Sequence, residues 1–125
     1  AACDHRLMCG DAFELLAELR ASGRRFDVVI IDPPSFAKNA AAVAKALTAY
    51  RALTRLGLGV LEPGGQIVLA SCSSRIGSDE FVANAEAEAH RVGRPLSVDT
   101  VTGHALDHPI GFAEGAYLKA IFARA

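Results

Sequence analysis

The chain has 125 residues, 51% of them hydrophobic and 22% charged, with a formal net charge of -1. That is enough apolar material for the core of one domain, and too much for a disordered chain. The near-neutral balance gives no electrostatic case for nucleic-acid binding by the segment as a whole, although a local basic patch would be hidden in such a total.

The stretch Arg6 to Cys9 is short and apolar and reads as the end of a strand. Residues 10–20 read as a helix. Asp11 takes the N-cap, Glu14 follows at capping-box spacing, and Phe13, Leu15, Leu16 and Leu19 form a broad apolar face. Phe26 to Ile31 is almost continuously apolar and β-branched, the pattern of a strand covered on both faces in a parallel sheet. Pro33 and Pro34 stop it, because neither can donate to a ladder. A long Ala-rich helix is expected over 39–57, with Val43, Leu47, Tyr50 and Leu53 at helical spacing.

Glu62 to Gly65 is a turn signal, and Gln66 to Ser74 begins as a second buried strand and ends in small polar residues. A third helix follows, with Ser78 as N-cap and Asp79 and Glu80 in its first turn. Leu96 to Thr102 alternates like an edge strand, and Ala116 to Arg124 reads as a last strand. Between them runs a loop of 13 residues, long for a connector. The order is that of an α/β layered fold finishing in an antiparallel strand pair.

In open α/β sheets ligands bind beyond the carboxyl ends of the strands. One such end delivers Asp32, Pro33, Pro34, Ser35 and Phe36; the other delivers Ser71, Cys72, Ser73 and Ser74. If the two strands are parallel neighbours, Asp32 and Cys72 open onto one cleft. Phe36 offers a flat face for stacking a ring. Each feature also has a plainer reading. Asp-Pro-Pro serves equally as a strand terminator, Asp11 as a helix cap only, and a free cysteine is commonly a small buried thiol.

His104 and His108, with Asp107 between them, sit in the long loop. Outside a helix their spacing is a weak metal pattern, and loop structure is the default. The three cysteines include no CxxC pair and no metal-site spacing. That count, without a signal peptide, points to a reducing, cytoplasmic setting, and no apolar run approaches the ~20 residues of a membrane span.

Together these residues resemble the catalytic half of a class I S-adenosylmethionine-dependent methyltransferase, and more closely the large-subunit ribosomal RNA 5-methylcytosine methyltransferases. The resemblance rests on GDAF at 10–13, FDVVIIDPPSF at 26–36, LEPGGQIVLASCS at 61–73, DHP at 107–109 and EGAYLKAIFAR at 114–124. It implies a partial Rossmann-like sheet, mostly parallel with a terminal antiparallel pair, with residues 1–125 as the carboxyl-terminal portion of one catalytic domain.

It also implies S-adenosylmethionine as cofactor, met by Asp11, Ala12 and Asp32. Cys72 is implied as the nucleophile that adds to C6 of cytosine, and Asp32 as its polar partner at the base. Pro33, Pro34, Phe36, Ser71, Ser73 and His108 are implied at the substrate, which is ribosomal RNA.

The chain departs from the family in lacking a Gly-rich turn after a first strand. Gly57 and Gly59 follow a long helix and do not supply one. The chain is therefore expected to be a fragment with little activity of its own, exposing the edge of the 26–31 strand and self-associating through it. Two rival readings stay open. One is a methyltransferase for another base or a small molecule without cysteine catalysis; the other is a non-catalytic α/β domain for assembly or RNA contact. A hydrolase is weaker, since no G-x-S-x-G elbow is present.

Overall fold

A computed structural model describes residues 3–125. Its elements in chain order are α1 (Ala12–Ala21), β1 (Phe26–Ile31), a 3-10 turn (Ala40–Ala42), α2 (Val43–Val60) and β2 (Leu61–Ser71). Then come α3 (Ser78–Arg91), β3 (Ser97–Thr102), a second 3-10 turn (Ala113–Gly115) and β4 (Lys119–Arg124). The strands form one sheet in the order β1-β2-β4-β3. β1 and β2 are parallel, and β4 runs antiparallel to both β2 and β3. β1, β2 and β3 therefore share one direction and β4 is reversed between them. The final two strands pair antiparallel as the sequence indicates, but β4 inserts inside β3, so β3 is the outer strand.

α2 packs against α1, α3, β1 and β2, which makes it the central helix over one face of the sheet. Alternate strand residues point into that layer: Val29 and Ile31 from β1, Ile67 and Leu69 from β2, and Ile121 and Ala123 from β4 are all buried. β1 was expected to be covered on both faces. It is instead an outer strand with one covered face, leaving Val28 53% and Ile30 69% exposed. A continuous apolar run marks two apolar faces, but whether the second is covered depends on what packs there; here Val28 and Ile30 make the second face apolar and nothing in the described residues covers it.

Local rules set most boundaries. Asp11 caps α1, its Oδ1 accepting from the Phe13 amide at 2.8 Å and the Glu14 amide at 3.3 Å. Asn39 caps the first 3-10 turn through the Ala42 amide at 3.0 Å, which shifts the helix proper to 43–60. α3 begins one residue differently from expectation: Gly77 is the N-cap and Ser78 is already helical. Residues 6–9 form no strand.

The Glu62–Gly65 turn signal lies inside β2 rather than before it. Leu61 pairs with Phe26 and Gln66 with Val28, so the intervening residues bulge out of the ladder. Gly64 takes φ +78° there and donates to the Ala125 carbonyl at 2.7 Å. Gly57 has a packing role. A Cβ at that position would lie 2.5 Å from Ile31 Cδ1, so only glycine lets α2 approach β1 this closely. This agrees with rejecting Gly57 as part of a nucleotide-binding turn. Among the described residues no helix is long and apolar enough to cross a membrane.

Candidate active site

Because β1 and β2 are parallel and in register at Ile31 and Leu69, both release their chain at the same edge of the sheet. Asp32 and the two prolines leave from β1; Cys72 leaves from β2. The two exits touch: Cys72 Sγ lies 4.0 Å from the Pro33 carbonyl oxygen. Asp32 is exposed and Cys72 half-buried, so neither lies sealed beneath the helices.

Asp32 stands at the rim of a cavity of about 630 Å³ between α1 and the outer edge of β1. Asp11, Ala12, Pro33, Pro34 and Phe36 line it too, with Leu15, Leu16 and Leu19 as an apolar wall. The structure therefore gathers six of the sequence-derived candidates in one place. Cys72, Ser71, Ser73 and His108 do not line this cavity. Cys72 flanks it through its contact with Pro33.

Ser71 and Ser73, expected at the substrate, are 0% and 1% exposed and lie beneath the site. Ser71 Oγ is 2.9 Å from the Tyr50 hydroxyl and accepts from the Ser73 amide at 3.3 Å. Tyr50 is held edge-on between Phe36 and Phe81, with ring centroids 5.2 and 5.1 Å away. Phe36 therefore serves core and cavity at once. Burial raises the Tyr50 pKa; the Ser71 hydrogen bond opposes this, and Coulomb repulsion from Cys72, when ionised, and from Asp32 adds to it.

Directly below the Cys72 turn is Lys119, 4% exposed, the cross-strand partner of Ser71. Its Nζ donates to the carbonyls of Ser73 and Ile76. Burial lowers its pKa, while Cys72 and Glu80 hold it up. Among the described residues the Ser73 hydroxyl has no hydrogen-bond partner. Lys119 has no role in the sequence-based reading of the site. The signal was a lysine at the head of the apolar run Ala120 to Ala123.

His108 belongs to a separate group. It is exposed and stacks on His104 at 4.7 Å between centroids, and Tyr117 meets His104 edge-on at 4.5 Å. The Leu118 amide donates to His104 Nε2 at 3.1 Å. Loop structure accounts for this pair. Among the described residues no group of three or more His, Cys, Asp or Glu side chains is placed to hold a metal ion.

No family model matches the chain. It is 41% identical over 118 residues to a ribosomal RNA large subunit methyltransferase of Deinococcus radiodurans, covering 94% of this chain and 29% of that protein. It is 40% identical over 119 residues to ribosomal RNA large subunit methyltransferase I of Shewanella amazonensis, again covering 29% of that protein. The chain thus spans about 30% of the length of the relatives it matches.

Among solved structures, it superposes with a TM-score of 0.76 at 23% identity on the methyltransferase SMU.776 complexed with SAH. It superposes with 0.77 at 21% identity on a SAM-dependent methyltransferase from Streptococcus mutans. Each match covers 93% of this chain and 30% of the other. At such identities the superpositions establish the fold, a mixed α/β sheet of the methyltransferase type.

Proposed function

We propose that this chain, a homologue of part of the ribosomal RNA large subunit methyltransferases, supplies the nucleophile and one wall of the cofactor site for methylation of C5 of a cytosine in ribosomal RNA. The observation that carries this reading is the parallel β1–β2 pair setting Cys72 against Pro33, one residue from Asp32 at the rim of the cavity.

The cavity suits S-adenosylmethionine in size and character. A site of this volume with apolar walls and few polar groups is typical for a molecule of that class. Asp11 and Ala12, at the start of α1, and Asp32, just past the end of β1, all line the cavity and would hold the cofactor. When bound, the cofactor supplies an electrophilic methyl group for C5.

The chain's own part is to make C5 nucleophilic. The Cys72 thiolate forms a bond to C6, pushing the C5–C6 electron pair onto C5 and the ring. A proton shared between the Asp32 carboxyl group and N3 offsets the charge that develops there. After methylation the C5 proton departs to a base. The electron pair re-forms the C5–C6 double bond and the thiolate leaves. Sulfur suits both directions because a thiolate is a good nucleophile and a good leaving group. Pro33, Pro34 and Phe36 form the wall against which the base, turned out of any stack, rests.

The test is a chimera in which these residues replace the matching segment of the Deinococcus radiodurans relative. It is assayed for methyl transfer from labelled S-adenosylmethionine to ribosomal RNA. Cys72→Ala is expected to lower the rate by at least about a thousandfold, and RNA carrying 5-fluorocytosine should trap a covalent complex only when Cys72 is present.

A second reading, methylation of an exocyclic amine without a thiol, is favoured by the position of Cys72 outside the cavity lining. Full activity of the Cys72→Ala chimera would select it.

A further inference from the structure

We propose that Lys119 is the positioning residue of Cys72: it ties down the turn that carries the sulfur and sets a positive charge beside it that favours the thiolate over the thiol. The inference rests on the reading of Cys72 as a nucleophile and adds a partner that the reading does not contain.

The geometry begins with the end of β2. Past Ser71 the chain leaves the ladder, and the carbonyls of Ser73 and Ile76 lose their sheet partners. Both accept from Lys119 Nζ. Ser71 and Lys119 are paired across β2 and β4, so the lysine rises from the strand next door directly under the turn. The chain contains three lysines, and Lys38 and Lys45 are both exposed. Burying an ammonium is costly, and a residue with a neutral donor would serve a purely mechanical clamp with less penalty. A cation makes sense where an anion must form nearby.

Charged and titratable groups of both signs surround the turn. Cys72 lies on the turn, Glu80 in the first turn of α3, Tyr50 on α2 and Asp32 at the end of β1; both Glu80 and Cys72 raise the lysine's pKa against the effect of burial. Arg75, on the same turn, is exposed and therefore screened by solvent. The carboxylates of Asp32 and Glu80 disfavour a second negative charge. Lys119 is the buried cation set against them. Coulomb coupling is mutual, so a thiolate that stabilises the ammonium is stabilised by it to the same extent.

The experiment reads the thiol directly and uses neither cofactor nor RNA. In the chain with Cys3 and Cys9 replaced by Ser, alkylation of Cys72 by iodoacetamide is followed as a function of pH, with and without Lys119→Met. Folding is checked by circular dichroism. The rate–pH profile is expected to move to higher pH in Lys119→Met, with alkylation about tenfold slower at pH 7, the equivalent of roughly one unit. An unmoved profile in a folded Lys119→Met chain overturns the proposal, since a merely mechanical clamp would alter access without shifting the pH dependence.

Should Lys119→Met fail to fold, the reciprocal measurement decides. With 13C-labelled lysine, the buried Lys119 resonance should titrate at lower pH in Cys72→Ser than in the parent chain. An unchanged titration overturns the proposal equally. Loss of methyl transfer in the chimera, by contrast, would strike the methyltransferase reading and leave both of these results standing.

Discussion

The two ends of the sheet are each closed by one cation that donates to backbone carbonyls, and the choice of cation differs. At the end where β2 begins, the Arg94 guanidinium reaches four carbonyls: Leu58 at 2.6 Å, Leu61 at 2.7 Å, Glu62 at 3.0 Å and Ala125 at 2.9 Å. It ties the last turn of α2, the start of β2 and the chain's final residue into one knot. At the end where β2 stops, Lys119 reaches two carbonyls beside Cys72. Arginine has five donors in a fixed fork and does not titrate, so it suits a permanent knot. Lysine has a compact charge whose proton affinity responds to burial and to neighbours, so it suits a place where charge must be balanced against a reacting group. The same backbone task is thus solved by a purely structural cation at one end and a chemically responsive one at the other.

Replacing each cation sharpens that contrast. Arg94→Met strands several acceptors at once, and hydrogen bonds to a charged donor are individually worth about 1.5–3 kcal/mol. With incomplete additivity the expected loss is about 3–5 kcal/mol, read as a lower urea midpoint at unchanged slope. Lys119→Met removes two bonds but also the cost of burying an ammonium, so its loss should be smaller, about 1–2 kcal/mol. The reverse order, with Lys119→Met the more damaging, would make the lysine the structural knot and break the comparison.

The long edges of the sheet differ as well. β3 is outermost on one side and is blunted: its register slips between Val98 and Thr100, and Asp99 there meets Arg124 at 3.3 Å. β1 is outermost on the other side, and Val28 to Ile31 carries no charge. A strand of this kind offers its free backbone groups to a partner. We therefore expect the chain to pair with itself along β1, seen by light scattering as a species above monomer mass. Ile30→Lys should return it to monomer, because a charge on that strand opposes close approach of a second copy. A parent chain that stays monomeric at high concentration would remove this expectation.

Much of this was legible in local sequence. Asp11 as a cap, the halt at Pro33 and Pro34, and the polar tail after Leu69 each follow from rules spanning a few residues. The rule that parallel sheets bind ligands past their carboxyl ends then brought Asp32 and Cys72 together before any coordinates did. What stayed hidden is long-range. Nothing near Lys119 in the chain says that it will pair with Ser71, and a lysine at a strand start reads as an exposed charge. Ser71 and Ser73 look like ligands for a base when read beside Cys72; only the packing of Tyr50 under them shows that they face inward. The one-sided burial of β1 was hidden for a related reason. Strand composition reports that a face is apolar, whereas which faces are covered depends on how every other element is stacked.

The smallest effect separates the two ends by pH. Glu88, on the part of α3 that runs toward Arg94, accepts from Arg91 Nε at 2.9 Å and Nη2 at 2.6 Å and from Arg55 Nη1 at 3.1 Å. The Arg91 hydrogen bonds chiefly hold its carboxyl below the usual carboxylate range; burial opposes them and Arg55 adds to them. Its folded-state pKa therefore lies below its unfolded one. The stability it contributes is complete above the unfolded value and fades as pH falls through the folded value. Glu88→Gln should cost on the order of 1 kcal/mol at neutral pH. The melting temperatures of variant and parent should then converge as pH drops through the carboxylate range. A gap that persists in acid would mean that Glu88 acts through packing rather than charge. Because this cluster sits with the arginine knot and away from the Cys72 turn, the same variant should leave the alkylation profile of Cys72 where it was. A shift there would show that the two ends of the sheet communicate through α3, and that the division of labour between Arg94 and Lys119 is less complete than their chemistry implies.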